Sequence, residues 1–248
     1  SSDLTYTYLW SSGSISDTAQ VNTAGTFTVT ATNTVGCRAT ASYIVNTEIS
    51  INGNFSLGNT GFTSAYTFTP DSINFQGELV PPSMYAVDTN ANNYQANLRG
   101  HDHTTRTGKF MIIHGRPFSE PVAWQQTLAV EPNTTYYFSG WGMGLDSSAN
   151  TASLVFSVNG NQLGNNLDLT AHGLTPGAPD NWRRFYSTWN STNNTTATFS
   201  ISNTPSGFIG NSFGLDDISI GKITPYITLT SNPVTDTQTV CINTPILP

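Results

Sequence analysis

The sequence predicts an all-β fold built around an antiparallel two-sheet sandwich, and three observations carry the prediction. No stretch sustains a 3.6-residue apolar period; short alternating runs recur instead, separated by Gly, Pro, Asn and Asp. One segment, residues 48–222, holds about eight such runs, a number that suits a two-sheet jelly roll. Only 9% of residues are charged, so solubility must come from Thr, Ser and Asn, a composition of extracellular β-rich stalks more than of cytosolic enzymes.

Each element has a local reason. In "YTYLW", Tyr6, Tyr8 and Trp10 share one strand face, as do Phe27, Val29 and Ala31 in "GTFTVTAT". A turn over 33–36 then delivers Cys37 into "CRATASYIV". These strands are too few to close a sandwich, so residues 1–47 read as the back part of a domain whose first strand precedes Ser1. In the middle segment, "EISINGNF" places Ile49 and Ile51 inward. "GKFMIIHG" is a compact buried strand, and "WQQTLAV" sets Trp124, Gln126, Leu128 and Val130 on one face. A Glu131-Pro132-Asn133 turn leads into "NTTYYFSGWGM", and Asn159-Gly160 is the favoured pair for a tight hairpin. "WRRFYSTW", "ATFSISN" and "SFGLDDISI" complete the count.

The last of these strands is irregular. Phe213 and Leu215 share one parity, Ile218 and Ile220 the other, so burying all four demands an extra residue at Asp216-Asp217, a β-bulge. The bulge would also turn a carboxylate toward the edge, where a cation can be held. If "EISI" and "DISI" pair antiparallel, the segment begins and ends at neighbouring points. Residues 223–248 read as a link followed by the first strand of another module.

Charge excludes some functions. The 248 residues hold 8 Lys+Arg against 15 Asp+Glu, and the cations are scattered, which excludes a nucleic-acid partner. The longest apolar run, residues 110–113, falls far short of the ~20 residues that span a bilayer, so no membrane insertion is expected in this segment. The opening Ser1-Ser2-Asp3 lacks the basic and apolar stretches of a signal peptide; any export signal was removed or lies elsewhere.

Two resemblances add to this reading. "YLWSSGSISDTAQVNTAGTFTVTATNTVGC" resembles the Ig-like repeats of large surface adhesins of gliding, type IX-secreting bacteria, the SprB kind. That resemblance implies partial Ig-like β-sandwich domains flanking the jelly roll and neighbouring repeats of the same chain as partners. It also implies disulfides in which Cys37 and Cys241 each pair beyond the chain. A Cys37 to Cys241 bridge is the alternative and requires two modules to meet there. "NGNFSLGNTGFTSAY" together with "FGLDDISI" is similar to the opening and closing strands of galactose-binding-like jelly rolls, which include carbohydrate-binding modules. The likeness implies a structural calcium ion between those strands, with Asn54, Ser56, Asp102, Asp216 and Asp217 as candidate ligands. Ser56 stands where calcium-binding relatives often carry Glu, and a hydroxyl is a poor replacement for a carboxylate.

"RGHDHTTRTG", residues 99–108, is the densest polar cluster. His101 and His103 alternate like metal ligands, with His114 or His172 as further donors; the alternative is an ordered loop whose Asp and Thr side chains satisfy its own backbone. Sugar recognition needs flat aromatic faces and planar polar groups. Tyr85, Tyr94, Arg99 and Arg106, on loops, with Trp124 and Gln126 on one sheet face, are the candidates, while Trp141 and Trp182 are expected in the core. No nucleophile elbow or acid/base carboxylate pair is visible, so catalysis is not expected. The expected whole is a non-catalytic segment of a secreted cell-surface adhesin whose jelly roll binds a glycan or polysaccharide surface. A structural spacer and an accessory module of a polysaccharide-degrading enzyme are the alternatives.

Overall fold

The structure, a computed structural model, describes residues 6–19, 24–45, 47–70, 79, 82–95, 97–115, 121–147, 151–171, 180–204 and 211–223. The chain divides into two units, Ser1–Thr47 with Ile223–Pro248, and Glu48–Lys222. Of 223–248 only Ile223 is described, so the expected next-module strand and Cys241 lie outside the described residues.

In the first unit β1 (Tyr6–Trp10), β2 (Gly25–Asn33) and β3 (Arg38–Val45) form an antiparallel meander. Tyr6, Tyr8 and Trp10 are half-buried and alternate with exposed Thr7 and Leu9, as period two requires. Asn33 makes the turn into β3, its Oδ1 accepting the N–H of Val35 at 3.1 Å and of Cys37 at 2.8 Å. Cys37 is disulfide-bonded.

The second unit is an all-β, two-sheet jelly-roll sandwich. Its strands are β4 (Thr47–Glu48), β5 (Thr67–Phe68), β6 (Met84–Asp88), β7 (Phe110–His114), β8 (Val122–Ala129), β9 (Thr135–Gly144), β10 (Ser153–Val158), β11 (Asn161–Gln162), β12 (Leu167–Asp168), β13 (Arg183–Asn190), β14 (Thr196–Thr204) and β15 (Ser212–Lys222). The larger sheet runs β13-β9-β15-β7-β6-β5 with β4 beside β15; the smaller runs β11-β10-β14-β8 with β12 beside β10. Phe138 of the larger sheet meets Trp124, Phe156 and Phe199 of the smaller at centroid distances of 5.1–6.2 Å, and this aromatic cluster is the main core.

Local sequence rules hold where the backbone dictates them. Asn159 and Gly160 both take positive φ, 51° and 77°, the signature of the turn that joins β10 to β11. The β15 register slips between Asp216 and Ser219 against β9, and Phe213, Leu215, Ile218 and Ile220 all reach the core. The bulge is where parity demanded it. Ile49 N–H donates to Ile220 O at 2.7 Å, so the unit begins and ends at neighbouring points.

Two expectations fail. Ile51 is not inward but 54% exposed. The chain leaves the ladder after Ser50, and the amide of Gln126 takes over as partner of both Ile51 backbone groups. Gly53 then docks on the bulge so closely that a Cβ would lie 1.7 Å from Ile218 O. The stretch "SMYAVDTNANNYQANLRG" is not a free loop: it supplies β6, then a 3-10 turn at Ala91–Asn93 capped by Asn90. Beyond it, Tyr94 and Leu98 pack with Ala86, Phe110, Ile112 and Met143 in a second apolar cluster. These strand residues have parity opposite to the main core, so the second cluster covers the β6–β7 half of the larger sheet's outer face.

Candidate functional site

The other half of that outer face, over β13, β9 and β15, carries three rows set by register. Arg184, Trp141 and Asp216 lie side by side, then Tyr186, Ser139 and Ser219, then Thr188, Tyr137 and Gly221. Gly221 makes room for the Tyr137 ring, since a Cβ there would lie 2.4 Å from it. The Tyr137 hydroxyl meets Ser219 Oγ at 3.0 Å. The Tyr137 and Tyr186 rings run nearly parallel, 13° apart with centroids 6.1 Å apart, and Tyr186 is 52% exposed. The guanidinium of Arg184 stands 5.4 Å from the Tyr186 centroid, within cation–π range. Burial pushes the Tyr137 phenol up and its bond to Ser219 opposes this, while Glu48 and Arg184 act on it with opposite signs. The strip continues past Ser219 into an open groove of about 430 Å³ lined by Glu48, Ser50, Asn52, Asn54 and Asp217.

A polar loop, residues 101–108, closes the Trp141 end. Asp102 organises it from inside, accepting the N–H of Thr105 at 2.8 Å and of Gly108 at 2.7 Å and the Thr105 hydroxyl at 3.1 Å. Burial raises the Asp102 pKa, yet these donors outweigh it and hold the carboxyl below its usual range. The loop is pinned to the bulge. His103 N–H donates to Asp216 Oδ2 at 2.8 Å, and His103 Nδ1 and the Thr104 hydroxyl meet Asp217 Oδ2 at 2.8 and 2.6 Å. The His103 ring stacks on Trp141 with centroids 3.8 Å apart. Asp216 is almost wholly buried, and its carboxyl is pushed up to about 7, by burial first and by Asp217 as well, against the pull of the His103 N–H. Of the two readings open for this segment, the satisfied loop is the one observed.

The six residues expected to bind sugar do not converge. Tyr85 is buried against Phe62 and Phe68 with its hydroxyl on Asn59, because it lies on the inner parity of β6. Tyr94 is buried in the second cluster, and Trp124 in the main core. Gln126 is spent on Ile51, Arg99 donates to Leu98 O, and Arg106 pairs with Asp180 at 2.6 Å. Trp182 packs in the second cluster as expected; Trp141 instead lies half-buried on the outer face under His103.

The five expected calcium ligands are engaged with protein partners. Asn54 Oδ1 accepts from Ser56, both Asp102 oxygens serve their own loop, and Asp216 accepts from His103 and Asp217. Calcium takes six to eight oxygens, and among the described residues no three His, Cys, Asp or Glu side chains form a metal-holding group. His101 and His103 face different acids, Asp180 and Asp217; His114 bonds Leu79 O, and His172 lies outside the described residues.

Sequence reasoning missed Arg184, Tyr186 and Tyr137. Alternation separates Tyr137 from Tyr136 and Phe138, but both faces of "TYYFSGWGM" carry aromatics, so period two could not say which face stays open.

No protein-family model matches the chain, and no curated protein matches it. Solved structures do resemble it. The CBM22-1 xylan-binding domain of Xyn10C from Paenibacillus barcinonensis is 15% identical, covering 73% of this chain and 99% of its own, with a TM-score of 0.41. TmCBM61, in complex with β-1,4-galactotriose, is 13% identical, covering 71% and 99%, with a TM-score of 0.43. The Stig cyclase Fisc from Fischerella sp. TAU is 12% identical, covering 72% and 98%, with a TM-score of 0.47. At such identities and TM-scores the likeness carries no argument about what this chain binds.

Proposed function

We propose that residues 48–222 bind a glycan without chemistry, on the open strip formed by Tyr186, Tyr137 and Ser219 and the adjoining groove. The observation that carries this reading is the near-parallel tyrosine pair with Tyr186 half out in solvent. A half-exposed aromatic beside a guanidinium that has no ion-pair partner among the described residues is ready to cover the C–H face of a sugar ring while neighbouring hydroxyls and amides bond its O–H groups. The groove beyond Ser219 is lined mainly by polar residues and continues the strip.

The wider setting we propose is a secreted surface adhesin, supported by the low charge content and the Ser, Thr and Asn surface. A spacer role fits less well. A unit whose first and last strands lie together adds little span to the chain that threads it.

The test is retention of the full 248-residue chain on an array of neutral and acidic polysaccharides, with Tyr186→Ala beside it. Retention on at least one glycan class, weakened about tenfold or more by Tyr186→Ala and leaving the glycan uncleaved, supports the proposal. Absence of retention on every glycan, or retention indifferent to Tyr186, overturns it.

A further inference from the structure

The cations of this chain differ in how they are used. Arg106 and Lys222 are paired with the carboxylates of Asp180 and Glu131, and Arg99 and Arg183 donate to the backbone oxygens of Leu98 and Asp168. Arg184 has none of these partners. It is exposed, its contact is the Tyr186 ring, and it stands at the β13 end of the aromatic strip on a protein whose formal net charge is −7. An arginine in that position serves no internal pair among the described residues, and the surrounding charge does not draw anions in from a distance. Its worth lies in short range, where a planar fork of donors meets an oxyanion.

Resting on the reading that the strip binds glycan, we propose that the ligand is an acidic polysaccharide, with a carboxylate or sulfate taken by Arg184 while the adjacent ring lies on Tyr186. The electrostatics of the strip give the ligand a direction. Arg184 lies on β13, whereas Glu48 and Asp217 lie on β4 and β15 at the groove end. Glu48 on β4 lies three strands from Arg184, roughly 14 Å at ~4.8 Å per strand, and Asp217 on β15 lies two strands away, roughly 10 Å. Both exceed the Debye length of about 8 Å at physiological salt. A negative group at the Arg184 end is therefore drawn to the guanidinium and screened from the acids at the other end. The acidic ring sits over β13, and the groove receives neutral hydroxyls.

The experiment uses matched probes that differ in charge alone. The full chain is titrated calorimetrically with polygalacturonate and its fully methyl-esterified form, and with dextran sulfate and dextran, which distinguishes carboxylate from sulfate. The expected result is an acidic probe bound about tenfold or more tightly than its neutral counterpart, with the ratio shrinking in high salt. Arg184→Gln should bring that ratio close to one, while Arg183→Gln next to it leaves the ratio intact. Equal binding of charged and neutral partners, or a preference that survives Arg184→Gln, overturns the charge proposal. If the chain binds only neutral glycans and loses them on Tyr186→Ala, the charge proposal fails and the glycan reading stands. If it binds no glycan, both fail.

Discussion

Strand β9 offers its two sides to different fates. On one side Tyr136 and Phe138 are followed by Gly140 and Gly142, and the second sheet presses so close that a Cβ on Gly142 would lie 2.9 Å from Leu154. On the other, Tyr137 and Trp141 are only half-buried, at a surface divided between the 101–108 loop and open solvent, with Ser139 buried between them. Aromatic residues stand on both sides at the same spacing. The inner ones are packed among apolar neighbours, and the outer ones are held from one side, Tyr137 by Tyr186 and the Ser219 hydroxyl and Trp141 by the His103 ring. In this unit aromaticity therefore marks the core on one face and availability on the other, with coverage deciding between them.

The contrast between the faces is tested hardest at Phe138, which touches Trp124, Phe156, Phe185 and Phe199. Phe138→Ala should cost about 3–5 kcal/mol of stability by loss of burial and creation of a cavity, measured by urea denaturation followed through tryptophan fluorescence. A cost under about 1 kcal/mol would mean that the inner face is as loosely held as the outer.

The outer face has its own buried group, and a pH series isolates what it contributes. Asp216 keeps its proton up to about pH 7 when folded, against an ordinary value of 3.8. The folded state therefore binds more protons than the unfolded state between those limits, and stability falls as pH rises through that window. Each pH unit across the window is worth about 1.36 kcal/mol, which sets a ceiling of ~4 kcal/mol. Asp102 has the opposite sign: its contribution is present above its ordinary pKa and is lost only in stronger acid, so it does not flatten the slope. Denaturation midpoints measured from about pH 5 to about pH 8 should decline for the wild type and decline less for Asp216→Asn. Equal slopes in both proteins would remove Asp216 as the cause.

The smallest expected effect is at Tyr186. With its side chain half in solvent, Tyr186→Ala should change stability by no more than about 0.5 kcal/mol while weakening glycan retention. A stability loss comparable to that of Phe138→Ala would show the outer pair to be structural and erase the contrast between the faces.

Much of the fold was legible because it is written in local rules. The Asn159-Gly160 turn needs two positive φ values, which those residues adopt at little cost. The parity break at Asp216-Asp217 admits no solution that buries all four apolar residues of β15 except an extra residue. The candidate site was less legible. Tyr85 and Tyr94 sit in an Asn-rich stretch that reads as loop, yet one joined a strand and the other was roofed by its own segment. Trp124 and Gln126 were placed on the right face of β8, but that face is the interior.

The all-β class, the strand alternation, the turns, the bulge and the meeting of the unit's two ends all follow from sequence. Each depends on φ preferences and period two, which act within a few residues. Which of two aromatic faces would be covered was a matter for tertiary packing alone. It depends on where the second sheet and residues 82–95 and 97–109 come to rest, through contacts between residues far apart in the chain. Among the described residues neither covers Tyr186 and Arg184, which are exposed, and Tyr137 beside them is half-buried.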